Sequence, residues 1–301
     1  FTLGVMDTAH NDESFVDALK KTAFDERAAA VFVGGFLLGH GDHLCALAMS
    51  HIDVGIAYPV YAGVTLIGGN VLNYVQIGSS NPGRLILGLC FVLSGVMSLA
   101  WALKEKEKEE KSRSQEKDDA KESLLDEEAE EPQRGLHPRY ALLLCIIAGV
   151  CSSAWSPLST YARPKLDKSS PDYYKQMHNP YVCLFIYCCG EILSVPSIIF
   201  IGSKVNGTPL LEPFSALTLR KAFWGCSCGL AVCTGYLVYF LSSAVVNANV
   251  AFSISACNPI LSIFIDAVTG QFNEASKKTR AALMVSACTY ACAIGILASI
   301  A

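Results

Sequence analysis

Charge is what this chain has least of. Only 17% of its 301 residues are Asp, Glu, Lys or Arg, whereas 52% are apolar and the mean hydropathy is +0.37. A soluble domain carries about a quarter of its residues as charges, so that class is excluded. The roughly ten-residue segments of alternating polarity that a membrane barrel needs are also missing. The 13 cysteines form no Cys-x-x-Cys pair of the kind that holds zinc. No G-x-x-x-x-G-K-[ST] loop is present to cradle phosphates. No nucleophile and base stand at a recognisable spacing. An enzyme, a metal centre and a bound cofactor are therefore not expected.

What the chain does have is long apolar runs. A bilayer span needs about 20 mostly apolar residues, and windows of that length lie at 28–50, 54–75, 85–103, 140–161, 180–202, 222–243, 246–268 and 281–301. All are helix-length, which predicts an all-α polytopic membrane helix bundle with the lipid bilayer as its solvent. Every cysteine falls inside these windows, Cys188-Cys189 and Cys226-x-Cys228 included. They read as small apolar packers.

The scarce charge is concentrated between the third and fourth windows. Residues 104–139 hold nine Lys/Arg and thirteen Asp/Glu, and that surplus of four acids equals the chain's net charge of −4. The stretch cannot bury a core, so it is expected to be a solvated, partly helical linker. With the remainder neutral, no nucleic-acid partner is expected. Eight alternating spans place this linker on one face with the loops at 51–53, 203–221 and 269–280. That face carries fifteen Lys/Arg, against eight on the other. The positive-inside rule puts the linker in the cytoplasm and Ala301 outside.

The chain also repeats itself. An offset of 194 residues aligns 27–100 with 221–294 without a gap, matching Gly35 with Gly229, Gly41 with Gly235, Leu47 with Leu241, Ala57 with Ala251 and Leu89 with Leu283. Three spans fall on three spans. Each half is thus expected to contain five, giving a ten-span protein in which 1–103 is an N-terminal repeat lacking its first two spans, 104–139 the linker and 140–301 the complete C-terminal repeat. Five is odd, so the halves enter the membrane in opposite directions as inverted repeats, the architecture of secondary transporters. Gly35-x-x-x-Gly39 and Gly225-x-x-x-Gly229 offer close helix contacts.

Short motifs distributed through 28–301 add a resemblance. They are Gly34-Gly35 with Gly41-Asp42, Val71-Leu72-Asn73-Tyr74, Ala148-Gly149-Val150-Cys151 with Ser156-Pro157, and Gly229, Gly235 and Ala251. In these the chain resembles the drug/metabolite transporter superfamily, and within it most closely the ureide permease family. The resemblance implies import of allantoin, uracil and related oxo-purine or pyrimidine compounds, with protons as the coupling ion, and a place in the plasma membrane or an endomembrane. Two departures stand out. Gly41-Asp42 and Gly235-Tyr236 occupy positions where that family is expected to carry Gly-Asn pairs, and the linker lacks a phosphate-binding loop. The superfamily's sugar-transporting group, and a non-transporting membrane adaptor or receptor whose linker recruits partners, remain alternative readings.

The polar residues inside the spans are the candidate site. A charge at bilayer centre costs roughly 2.5–3.5 kcal/mol on insertion scales, yet His40-Gly41-Asp42-His43 stands in the middle of 28–50. Two histidines beside a carboxylate can take up and release protons near neutral pH. The alternative is internal pairing that only glues helices. Glu191, at the centre of 180–202, is a second proton carrier or a buried hydrogen-bonded acid, with His40 or His43 as its expected countercharge. The expected substrate is a small polar molecule. Trp155, beside Ser156-Pro157, suits stacking on a planar heterocycle or a place in the interfacial belt. Tyr187 lies one turn before Glu191, and Tyr236 is opposite the histidine cluster in the repeat. Asn258-Pro259 interrupts 246–268, where proline frees a backbone carbonyl; either Asn258 meets an amide-rich substrate or the helix only kinks. Asn70 and Asn73 read as hydrogen-bonded helix packing.

The orientation carries its own test. Asn206-Gly207-Thr208 is the one N-glycosylation sequon and faces the cytoplasm in this topology, so expression in a glycosylating host should leave Asn206 bare. Glycan on Asn206, detected by an endoglycosidase mobility shift, would invert the topology.

Overall fold

Lipid offers no hydrogen bonds, so apolar runs of this length must close their own backbone as helices. The computed structural model describes residues 14–22, 25–52, 54–77, 82–121, 137–161, 179–207, 209, 217–245, 252 and 276–299, and no strand occurs among them. In chain order the helices are α1 (Phe15–Thr22), α2 (Glu26–Met49), α3 (Val54–Ile77), α4 (Pro82–Lys121), α5 (Pro138–Ser153), α6 (Trp155–Tyr161), α7 (Pro180–Asn206), α8 (Leu219–Val245) and α9 (Lys277–Ala298). They form an all-α polytopic bundle. Among the described residues, six segments are long and apolar enough to cross a membrane: Glu26–Met49, Pro82–Ala102, Arg139–Tyr161, Pro180–Val205, Leu219–Ser242 and Lys277–Leu297. The expected span at 54–75 coincides with α3, whose 24 residues equal α2 in length. The expected span at 246–268 lies outside the described residues but for Phe252.

Local sequence explains where helices stop and break. Asp25 and Asn179 cap α2 and α7 with side-chain oxygens that accept from the backbone two residues on, and Ser276 caps α9 through Thr279. Gly207 ends α7 at a φ of 66°, a conformation that favours glycine. The span 139–161 is discontinuous. Pro157 has no N–H for the Ser153 carbonyl, so α5 ends at Ser153, Ala154 turns, and α6 restarts at Trp155.

Helix α2 is the hub, packed on α7, α5, α6 and α3. Its glycines face backbone. A Cβ on Gly35 would land on the Tyr187 carbonyl of α7, one on Gly190 of α7 would land on the Phe32 carbonyl of α2, and one on Gly41 would strike Ser152 and the Ala148 carbonyl of α5. Cysteines help to fill the tight spaces, with Cys45, Cys145 and Cys183 buried. On the matching face of α8, none of the described residues lies within 4 Å of a Cβ added at Gly225, Gly229 or Gly235.

A second unit pairs α4 with α9. Ser286 donates to the Gly95 carbonyl at 2.9 Å, Ser98 to the Ala282 carbonyl at 2.9 Å, and Arg84 to the Ser299 carbonyl at 2.8 Å. At the crossing a Cβ on Gly95 would meet Thr289 and Tyr290. Thr289 is 194 positions beyond Gly95, the offset of the sequence repeat. The span also runs on into the expected linker: α4 stays helical to Lys121, because Lys and Glu alternate there without a Gly or Pro between Gly95 and Pro132. Glu109 on this extension accepts from the Ser276 backbone at 3.0 Å and the Thr279 hydroxyl at 3.0 Å, anchoring the start of α9. The charged stretch is thus a docked helix in its first part rather than a wholly solvated linker.

Packing of this kind separates two matched glycines. Gly35→Ala should destabilise the protein by about 1–3 kcal/mol through overpacking, whereas Gly229→Ala, at the equivalent position of α8, should change stability by less than about 0.5 kcal/mol. Thermal unfolding in detergent measures both, and equal shifts would contradict the α2–α7 contact.

Candidate functional site

The site grows from α2. Its glycine contacts hold the helix so close to α7 and α5 that the polar side chains between them must find partners on those helices and on α3. Asp42 accepts a hydrogen bond from the Tyr61 hydroxyl of α3, and Tyr61 in turn lies 3.0 Å from the Ser152 hydroxyl at the end of α5. Since the carboxylate only accepts, the protons of this chain run Ser152 to Tyr61 to Asp42. Tyr61 and Ser152 are both buried. This relay joins three helices. The sequence reading missed Tyr61 because its partnership depends on the register between neighbouring helices, although a tyrosine in the next span was the available signal.

His40 has two partners that couple its charge to a hydroxyl. Nδ1 donates to the Phe36 carbonyl at 2.9 Å, and Nε2 lies 2.7 Å from Ser197 Oγ on α7, which itself is 2.7 Å from the Ser194 carbonyl. Ser197 has one hydrogen. If it goes to Ser194, Nε2 must donate and the imidazole is charged; if it goes to Nε2, the imidazole is neutral. Rotation of one hydroxyl therefore accompanies each protonation of His40. His43 hydrogen-bonds back to the Gly39 carbonyl through Nδ1 and lies in Coulombic range of Asp42.

Glu191 projects from α7 against Gly39, and Asp42 and Glu191 are in Coulombic range of each other. The expected countercharge is corrected here. Among the described residues no ion pair joins Glu191 to His40 or His43, because His40 turns its free nitrogen to Ser197 one and a half turns further along α7.

Trp155, Tyr187 and Tyr236 come together, as residues on three different helices. Trp155 is buried at the start of α6, with ring centroids 6.0 Å from Tyr187, 5.9 Å from Tyr236, 4.5 Å from Tyr239 and 5.9 Å from Phe252. Tyr187 and Tyr236 are 5.0 Å apart. The reading of Trp155 as an interfacial belt residue fails on this burial. Tyr236 also lies in Coulombic range of both Asp42 and Glu191. Asn258 lies outside the described residues. Trp101, Tyr140 and Trp224 are exposed at span ends, where interfacial aromatics belong.

The break at Ala154 sits between the two networks. Ser152 before it ends the Asp42 relay, while Ser156 after it is 3.0 Å from the Tyr239 hydroxyl and accepts from Asn73 Nδ2 at 2.9 Å. A discontinuous span with hydroxyls on both sides and an indole at the break is suited to binding a polar molecule at membrane depth.

Removing one hydroxyl tests the relay. Tyr61→Phe leaves Asp42 without its donor and should cost about 1–3 kcal/mol of stability, read as a lower unfolding temperature, while Ser152→Ala should cost less. An unchanged Tyr61→Phe would show that Asp42 has other partners. Compared with known protein families, curated proteins and solved structures, the chain matches none.

Proposed function

We propose that this protein is a secondary active transporter that moves a small polar metabolite, best a ureide or nucleobase, in symport with protons across the plasma membrane. The observation that carries the reading is the discontinuous 139–161 span, whose break at Ala154 sets Trp155 among aromatic rings and Ser152 on the Asp42 relay. Substrate sites of inverted-repeat transporters lie at such broken helices between the halves. The pairing of Gly95 with Thr289 is what a two-fold axis relating residues 194 apart would produce at its own position. The resemblance to ureide permeases supports the same substrate class.

In this mechanism Asp42, His40, His43 and Glu191 carry the coupling protons, and Trp155, Tyr187 and Tyr236 form the stacking surface for the substrate, with Asn258 assigned by sequence to the same surface. Protonation of the acids removes charge that the apolar surroundings oppose, which eases the rocking of one half against the other. Substrate and proton then travel together because each favours the same state.

Uptake by the full chain in proteoliposomes tests this directly. With the unsubstituted protein, inward uracil or allantoin flux should rise as the outside is acidified. Asp42→Asn should abolish the pH dependence and cut proton-driven uptake by about tenfold or more while leaving exchange of internal for external substrate measurable. Flux with unchanged pH dependence in Asp42→Asn would remove Asp42 from coupling, and no flux of any ureide or nucleobase would remove the transport reading.

A further inference from the structure

Among the described residues, the buried amide side chains are two asparagines on α3. Asn70 and Asn73 are both 0% exposed, and the side-chain oxygen of each has no hydrogen-bond partner. The amide nitrogens are used: Asn70 donates to the Leu66 carbonyl at 2.9 Å and Asn73 to Ser156 at 2.9 Å. Standing three residues apart, the two share one face of α3. A buried acceptor left unpaired bears the full cost of its desolvation, and an apolar residue of the same shape would avoid that cost. Helix packing alone therefore does not account for two of them.

Their surroundings say what is missing. Ser156, held by Asn73, touches the Tyr239 hydroxyl, and the Tyr239 ring lies 4.5 Å from Trp155. Gly69, next to Asn70, brings α3 against the Phe252 ring, which also packs on Trp155. The unpaired atoms are neutral carbonyl acceptors, and the Asn73 amide is joined through Ser156 to the packed Tyr239 and Trp155 rings. A flat ring with N–H groups on its edge answers both features.

We infer that Asn70 and Asn73 are ligand-binding residues whose side-chain oxygens accept hydrogen bonds from two N–H groups of a planar heterocycle lying against Trp155 and Tyr239. This rests on the transport reading and names the groups that read the substrate. It replaces the packing role that sequence assigned to both asparagines.

Isothermal titration on the full chain in nanodiscs, with uracil and its N,N′-dimethylated form as probes, tests it. Uracil affinity should fall about tenfold in Asn70→Leu and in Asn73→Leu, the loss of one hydrogen bond each. Dimethyluracil should bind the unsubstituted chain at least tenfold more weakly than uracil and should not distinguish the variants from it. Without ligand, Asn70→Leu should unfold no earlier than the unsubstituted protein, since it relieves an unpaired oxygen. If a variant fails to fold, the methylated probe decides alone, and equal binding of both probes overturns the inference. Unchanged uracil affinity in both variants overturns it while leaving transport intact. Saturation by sodium alone, lost in the variants, overturns it in favour of a cation site. An unsubstituted chain that binds no uracil or other N–H heterocycle overturns this inference and the transport reading together.

Discussion

The approach of α2 to α7 and α5, backbone against backbone at Gly35 and Gly190 and against Ser152 and the Ala148 carbonyl at Gly41, is the contact on which the other features depend. In lipid no hydrophobic force draws helices together, and small residues that admit close van der Waals packing take its place. That packing sets the half-buried ionisable side chains of α2 against polar groups of the neighbouring helices. Asp42 must be answered by Tyr61 and Ser152, and His40 by Ser197. The polar network is thus a consequence of the apolar one. A larger residue at Gly35 would separate the helices and with them the acids on α2 and α7.

The second organising feature is the break at Ala154. On its two sides Ser152 meets Tyr61, and Ser156 meets Asn73 and Tyr239, with Trp155 among four aromatic rings. The Asp42 network and the aromatic cluster thus share no side chain. Hydroxyls dominate the interior because they donate and accept by rotation alone, as the Ser197 hydroxyl does when His40 changes charge.

Much of the architecture was legible in the residues, and the rest failed for identifiable reasons. Hydropathy placed six windows where the described residues have helices long and apolar enough to cross a membrane, because length and composition suffice to place a helix in lipid. Trp155, Tyr187 and Tyr236 were each singled out on separate grounds, and their contact with one another was not foreseen. Nor was the pairing of Asp42 with Tyr61, since one sequence does not encode the register of one helix against the next. His40 was assigned to Glu191 on charge, yet a serine one and a half turns away took the nitrogen. Asn70 and Asn73 read as hydrogen-bonded helix packing, and their amide nitrogens do bond to Leu66 and Ser156; that their oxygens have no partner is visible only in coordinates. Residues 104–121 read as part of a solvated, partly helical linker, and the helix is there; its docking through Glu109 was not foreseen, since charge alone does not name a partner.

Coupling between substrate and proton is the centre of this mechanism, and it is measurable without any substitution. Full-length protein reconstituted in vesicles that enclose a pH-sensitive dye, with equal pH on both sides, should acidify the lumen when uracil or allantoin is added outside. The acidification should saturate with substrate and vanish when a protonophore is present. Substrate accumulation in the lumen with no change in its pH would contradict proton symport and assign the intramembrane acids and histidines a structural role.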